Sequence, residues 1–251
     1  MTRLQAQFQR LYRVPDLNPQ GPTAGDVALI SHDGQVRAMV LALARPASWE
    51  AMGKVWRGVQ ADLALPAPAI SVNGVDGYQL WFSLCQPVPA AQACGFLDAL
   101  RRRYLGDIAA QRVVMRPSGD GSAQSVDVVP ALVGDAGCWS AFVAPDLAAV
   151  FADEPWLDLE PSAEAQAEQL SRLACIKPEA FSQALERLGP VQATGPDPGT
   201  AAWKAQAGEP QATVGRHANP KQFLLEVMNN EGVALPLRIE AAKALLPYFE
   251  A

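Results

Sequence analysis

Ala69-Ile-Ser-Val-Asn-Gly-Val-Asp-Gly-Tyr-Gln-Leu-Trp-Phe-Ser-Leu84 reads as strand, turn, strand. Ala69 to Val72 and Tyr78 to Leu84 are rich in β-branched and aromatic residues. Asn73 to Gly77, between them, is built from residues that accept positive φ. Alternation sends Tyr78 and Phe82 to one face of the second strand and Gln79 and Trp81 to the other. Core packing is therefore expected to claim at least one of these pairs.

Working outward, Val27 to Ser31 runs into the turn His32-Asp33-Gly34-Gln35, and Val36 to Ala44 resumes as a second apolar run, which predicts a hairpin. Pro46 opens a helix whose apolar face is Trp49, Met52, Val55, Trp56 and Val59, ended by Pro66-Ala-Pro68. Downstream, Ala90 to Tyr104 carries Ala93, Phe96, Leu97 and Leu100 at helical spacing. It ends in Arg101-Arg102-Arg103, which suits a helix C-terminus better than a phosphate track, because three consecutive side chains diverge. Gln111 to Met115 is a further strand, and Ser125 to Val133 with Cys138 to Val143 a further hairpin. The order predicts an α+β fold, a mixed or antiparallel sheet with helices packed on one face.

That domain is expected over residues 1–160, followed by a helical segment over 161–188 and a Pro/Gly-rich linker over 189–215. A C-terminal helical hairpin over 216–251 follows, with Asn219-Pro220 at its start and Leu235, Ile239, Ala242, Leu246 and Phe249 forming one stripe. The hairpin is a candidate surface for a protein partner.

The 251 residues are 49% apolar and 18% charged and include six tryptophans, which excludes a wholly disordered chain. The longest apolar run, Ala38 to Ala44, falls far short of the roughly 20 residues that cross a bilayer, so no membrane association is expected. The first fourteen residues are expected to form a docking helix or arm rather than a targeting signal. Cys85, Cys94, Cys138 and Cys175 match neither a CxxC pair nor a zinc ribbon, and with only His32 and His217 beside them no metal site is expected. They are read as thiols in a reducing cytoplasm.

Net charge is uneven. Residues 1–116 hold twelve Lys/Arg and eight Asp/Glu, residues 117–212 four and fourteen, and the last 39 four of each. The total of minus six thus combines a mildly basic half with an acidic block, which argues against broad DNA coating while permitting an anionic ligand on the first half. The acids around Asp153-Glu154 and Asp158-Leu-Glu160 read first as solvated loop charge, and second as a partner surface or DNA-mimicking patch.

The stretch from Ala69 to Leu84, followed by Asp107-Ile-Ala-Ala-Gln-Arg-Val-Val-Met-Arg-Pro-Ser-Gly119, resembles the second and third motifs of the archaeo-eukaryotic primase and primase-polymerase superfamily. The Gly-rich turn, Tyr78, Trp81, Phe82, the helix from Ala90, Asp107, Arg112 and Arg116-Pro117 fall in that family's order over roughly residues 36–133. The resemblance implies a primase-like α+β domain. It also implies a first-motif pair of carboxylates to hold two divalent metals, yet the corresponding strand, Met39 to Arg45, has none, and Gln79 stands where the family has a phosphate-contacting histidine. The tail resembles a short helical segment of phage small-terminase-like proteins.

Together these imply a DNA- or nucleotide-associated accessory protein of phage or mobile-element type, cytoplasmic, without catalysis, metal or cofactor. Its binding residues would be Arg45, Lys54, Arg57, Tyr78, Gln79, Arg112 and Arg116, with the aromatics stacking on bases. Two alternatives stand beside it. One is an active nucleotidyltransferase using Asp107, magnesium or manganese, and acids from elsewhere such as Asp33 or Glu50; the other is a protein-binding scaffold that ignores nucleic acid.

Overall fold

Strand pairing starts from the turn at 73–77 and builds outward. In this computed structural model, which describes residues 1–13, 26–119, 125–134 and 137–189, the elements follow in chain order. They are α1 (Arg3–Tyr12), β1 (Asp26–Ala28), β2 (Gln35–Ala44), α2 (Trp49–Ala61), β3 (Ala69–Val72), β4 (Gly77–Pro89), α3 (Ala90–Tyr104), β5 (Val113–Arg116), β6 (Ser125–Asp127), β7 (Leu132–Val133), β8 (Cys138–Trp139), β9 (Ala141–Val143), α4 (Ala163–Ser171) and α5 (Pro178–Leu188). The chain divides into two units, Met1–Thr194 and Gly195–Ala251. The linker expected beyond Gly189 and the hairpin expected over 216–251 lie outside the described residues. Among those described, no helix is long and apolar enough to cross a membrane.

The main sheet has the order β5-β2-β4-β3-β9, and every neighbouring pair is antiparallel, so the fold is α+β. The two expected hairpins around it form differently. Ile30 makes only an isolated bridge to Val36, while β1 pairs with β6. In the second, the hairpin itself is the short β7–β8 pair, and β9 passes to the edge of the main sheet beside β3.

Helices cover both faces of the sheet, not one. Met39, Leu41 and Leu43 of β2, with Tyr78, Leu80, Phe82 and Leu84 of β4, pack beneath α2, α3 and α5. On the reverse, Ala38, Val40, Trp81 and Phe142 meet Leu11 and Tyr12 of α1 and Leu170 of α4. The reason is visible in β2, where Ala38 to Ala44 is apolar at every position; a strand buried on both sides reads as a continuous run.

Two side chains from this scaffold complete main-chain hydrogen bonding that the sheet leaves open. The register of β2 against β4 shifts between Val36 and Ala38. There the Arg37 guanidinium donates to the carbonyls of Arg10 (2.7 Å), Arg13 (2.9 Å) and Leu84 (3.1 Å), closing the C-terminal end of α1. At the sheet edge, Gln166 of α4 accepts from the Phe142 amide (2.8 Å) and donates to its carbonyl (3.0 Å), so a side-chain amide occupies the place of a sixth strand.

The cysteine expectation is corrected. Cys85 and Cys175 form a disulfide across a sequence separation of 90, with Cα atoms 5.0 Å apart. Cys94 and Cys138 remain thiols. The bond joins the end of β4 to the α4–α5 connection, where Ile176 already bonds through its amide to Ser83 (2.7 Å) and through its carbonyl to the Cys85 amide (2.9 Å). The 161–188 segment thereby packs into the first unit, α4 against α1 and α5 against α3.

Candidate anion-binding site

β2 ends at Ala44, and the chain turns through Arg45 and Pro46 into α2. Ser48 is the N-cap, its hydroxyl accepting from the Ala51 amide at 3.3 Å. The positive end of the α2 dipole therefore faces this turn. Arg112, the last residue of the 3-10 turn Ala110–Arg112, reaches it from the other side of the sheet edge. Its guanidinium donates to the carbonyls of Ala44 (3.3 Å) and Pro46 (2.9 Å), which places it beside Arg45.

Arg45 pairs with Asp76 at 2.9 Å, yet its side chain is 80% exposed. Asp76 is itself fixed by the β3–β4 turn. The Asn73 carboxamide oxygen accepts from the amides of Val75, Asp76 and Gly77 at 3.0, 2.9 and 2.9 Å, and the Asn73 amide donates to Asp76 at 2.8 Å. Sequence reasoning missed this role for Asp76, although the spacing Asn73-x-x-Asp76-Gly77 carries its signal.

Lys54 and Arg57 lie on the outer face of α2. Lys54 stands 3.7 Å from Glu50, an exposed pair that is worth little. Arg57 folds back along its helix: a Cβ added at Gly53 would lie 3.1 Å from the Arg57 Nη1 and 3.5 Å from the Trp49 ring. Arg45 and Arg112 thus stand together at the start of α2, while Lys54 and Arg57 lie further along the helix on its exposed side, the Arg57 guanidinium against Gly53. Arg116 does not join them. It sits at the far end of β5, opposite Val40 where Val113 is opposite Leu43, and its Nε is buried with no hydrogen-bond partner among the described residues.

Tyr78 and Gln79 are interior. Tyr78 is 0% exposed, donates to the Ala148 carbonyl at 2.7 Å and packs against Trp49 with ring centroids 5.6 Å apart. Burial, reinforced by the Asp153 charge, pushes its phenol up to about 12. Gln79 accepts from the Ser71 hydroxyl (3.0 Å) and from the Trp81 indole (3.2 Å) on the opposite face. Trp81 and Phe82 are each 1% exposed. Stacking of these aromatics on bases is therefore corrected: both pairs, not one, are core, because β4 is the central strand under two layers of helices.

Asp107 is exposed in the turn after α3. The acids considered as its helpers are held by other partners: Asp33 bonds to Ser31, which holds its carboxyl below the usual range, and Glu50 pairs with Lys54. Met39, Leu41 and Leu43, on the strand where the resemblance would put metal-binding acids, are each 0% exposed. Among the described residues no three or more His, Cys, Asp or Glu side chains meet where they could hold a metal ion. The arginine run at the end of α3 is tied locally, Arg101 and Arg102 to Asp98 (3.1 and 2.6 Å) and Arg103 to Asp62 (3.5 Å). No protein-family model matches the chain, and no curated protein matches it.

Proposed function

We propose that this chain is a non-catalytic accessory protein that binds phosphate groups of DNA or nucleotides at the start of α2, with Arg45, Lys54, Arg57 and Arg112 as the contacting residues. The observation that carries the proposal is the hydrogen bonding of Arg112 to the Ala44 and Pro46 carbonyls, which brings a second guanidinium to the exposed Arg45 at a helix N-terminus. Guanidinium forks and a helix dipole both favour phosphate oxygens. A degenerate primase-like ancestry and a phage or mobile-element origin belong to the same proposal, supported by the order of Tyr78, Asp107, Arg112 and Arg116-Pro117 along the chain. Tyr78, Gln79 and Arg116 act in it as scaffold.

The test is fluorescence anisotropy of labelled single-stranded and duplex oligonucleotides at low salt, with a nucleoside triphosphate as competitor to tell free nucleotide from strand. Changing Arg45, Lys54 and Arg57 to alanine is expected to weaken binding and to flatten the dependence of log K on log salt by about one for each phosphate contact removed. Absence of any binding at low salt, or an unchanged salt slope in the triple variant, overturns the proposal. A cytoplasmic setting is also part of it, and a reducing cytoplasm would hold Cys85 and Cys175 as thiols rather than as the bond seen here. Differential alkylation of the chain in intact cells reads this directly, and full alkylation of both cysteines would count against the bond in that compartment.

A further inference from the structure

We propose that the surface made by residues 144–160, with the 73–77 turn and β7 beside it, is a docking site for a cationic amphipathic helix of a partner protein. It uses none of the phosphate-binding side chains and stands whether or not the chain binds nucleic acid. Among the described residues the large apolar side chains left exposed are Met1, Val75, Leu132, Leu147, Val150 and Leu159. Leu147, Val150 and Leu159, 53%, 74% and 79% exposed, fall in this segment, Val75 lies in the turn that bonds to it at Pro155, and Leu132 in the strand paired with Trp139, which bonds Leu157. Scattered exposed apolar residues are ordinary, but concentration in one place marks an interaction surface.

The segment is held by the fold. The Tyr78 hydroxyl donates to the Ala148 carbonyl at 2.7 Å, and the Gly74 amide to the Pro155 carbonyl at 3.1 Å. Trp139 and Leu157 exchange two main-chain bonds of 2.8 and 3.0 Å. Ala148 and Pro155 are buried, and Phe151 and Leu157 pack against the core. With these residues turned inward, Leu147, Val150 and Leu159 are presented outward from an anchored backbone.

Charge selects the occupant. Asp146, Asp153, Glu154, Asp158 and Glu160, interspersed with these apolar residues along the same segment, are all exposed. None of them enters an ion pair among the described residues, and no lysine or arginine occurs between Pro117 and Ser171. Exposed apolar side chains among unpaired acids are complemented by an apolar stripe between positive flanks, which is what a basic amphipathic helix presents. A second copy of this chain is a poorer fit, since its exposed basic residues about α2, Arg45, Lys54 and Arg57, are not accompanied by an exposed stripe of large apolar side chains among the described residues.

The probe is a labelled synthetic helix with leucine on one face and lysine on the other, titrated against the full chain. Saturable binding is expected, weakened at least about tenfold when Leu147, Val150 and Leu159 are changed to serine. It should also slow in association when Asp153, Glu154, Asp158 and Glu160 become their amides. These side chains are exposed, and circular dichroism confirms that each variant folds. Equal binding by the leucine and valine variant, equal binding of a control peptide with the same residues in scrambled order, or no binding overturns the proposal. So does a dimer in sedimentation that the same variant abolishes, which would assign the surface to a second copy.

Discussion

Gly77 begins β4 against the last residues of β2, and a Cβ there would lie 2.1 Å from the Leu43 carbonyl oxygen and 3.0 Å from the Ala44 Cα. Both are main-chain atoms of a paired strand, so no rotamer change relieves the clash. Gly77→Ala is expected to cost about 2 kcal/mol or more in chemical denaturation, with shifted amide resonances in Leu43 and Ala44. The next residue makes the pH prediction. Tyr78 and Tyr104 both have phenols pushed up to about 12 from 10, chiefly by burial. Above pH 10 the unfolded chain has released these protons while the folded chain keeps them, so stability is full below pH 10 and falls as pH rises toward 12. Tyr78→Phe should remove part of that alkaline slope, and at neutral pH it should cost roughly 1 kcal/mol by leaving the Ala148 carbonyl without its donor. An unchanged alkaline slope in the variant would count against burial of this phenol.

At the scale of elements, the covering of the sheet by two helical layers rests on specific attachments rather than on pattern alone. Gln166 holds α4 to the edge strand β9 through both main-chain groups of Phe142, a residue 3% exposed. Gln166→Ala should leave a buried amide and carbonyl unpaired and cost roughly 3 kcal/mol, and at neutral pH Gln166→Glu should cost no less, since it keeps an acceptor for the amide but sets a buried carboxylate oxygen against the Phe142 carbonyl. Urea titration of the two variants checks the order. The disulfide attaches the α4–α5 connection in the same way. Cys85→Ser with Cys175→Ser should lower stability by about 3 kcal/mol through the freedom returned to the unfolded loop, and dithiothreitol should reproduce the loss in the native chain. The strands around the 73–77 turn and the helices α2, α3 and α5 were legible because their apolar periods are local. The second helical layer was harder to see, because α1 has few aliphatic residues and α4 is short. The pairings β1 with β6 and Cys85 with Cys175 were not legible at all, since each joins segments far apart in the chain and no local period records a distant partner.

For the molecule as a whole, the division of charge read from the sequence acquires a spatial meaning that counting could not supply. The basic excess of the first half is partly spent within the fold: Arg37 bonds main-chain carbonyls, and Arg101, Arg102 and Arg103 hold neighbouring acids. The exposed remainder is the smaller set about α2, to which the proposed function assigns phosphate binding. Of the candidate site, the sequence could name Arg45, Lys54, Arg57 and Arg112, because exposed basic residues need no partner to be recognised. It could not show that Tyr78 and Gln79 turn inward, because a strand with apolar residues on one side only and a strand covered on both look alike until the covering elements are known. The acidic block, by contrast, keeps its charge unspent at the surface between 146 and 160.

The Cys85–Cys175 bond also decides how the molecule carries load. A pull on the two chain ends passes from the first strands to residue 85 and crosses directly to residue 175. The intervening loop, with a sequence separation of 90, can lose its fold but cannot lengthen. Its contour of roughly 300 Å, at about 3.4 Å per residue, is withheld from extension until the bond is reduced. The oxidised chain is thus a short tether with a hidden reserve of length, and α3, α4 and the strands between them lie inside that reserve.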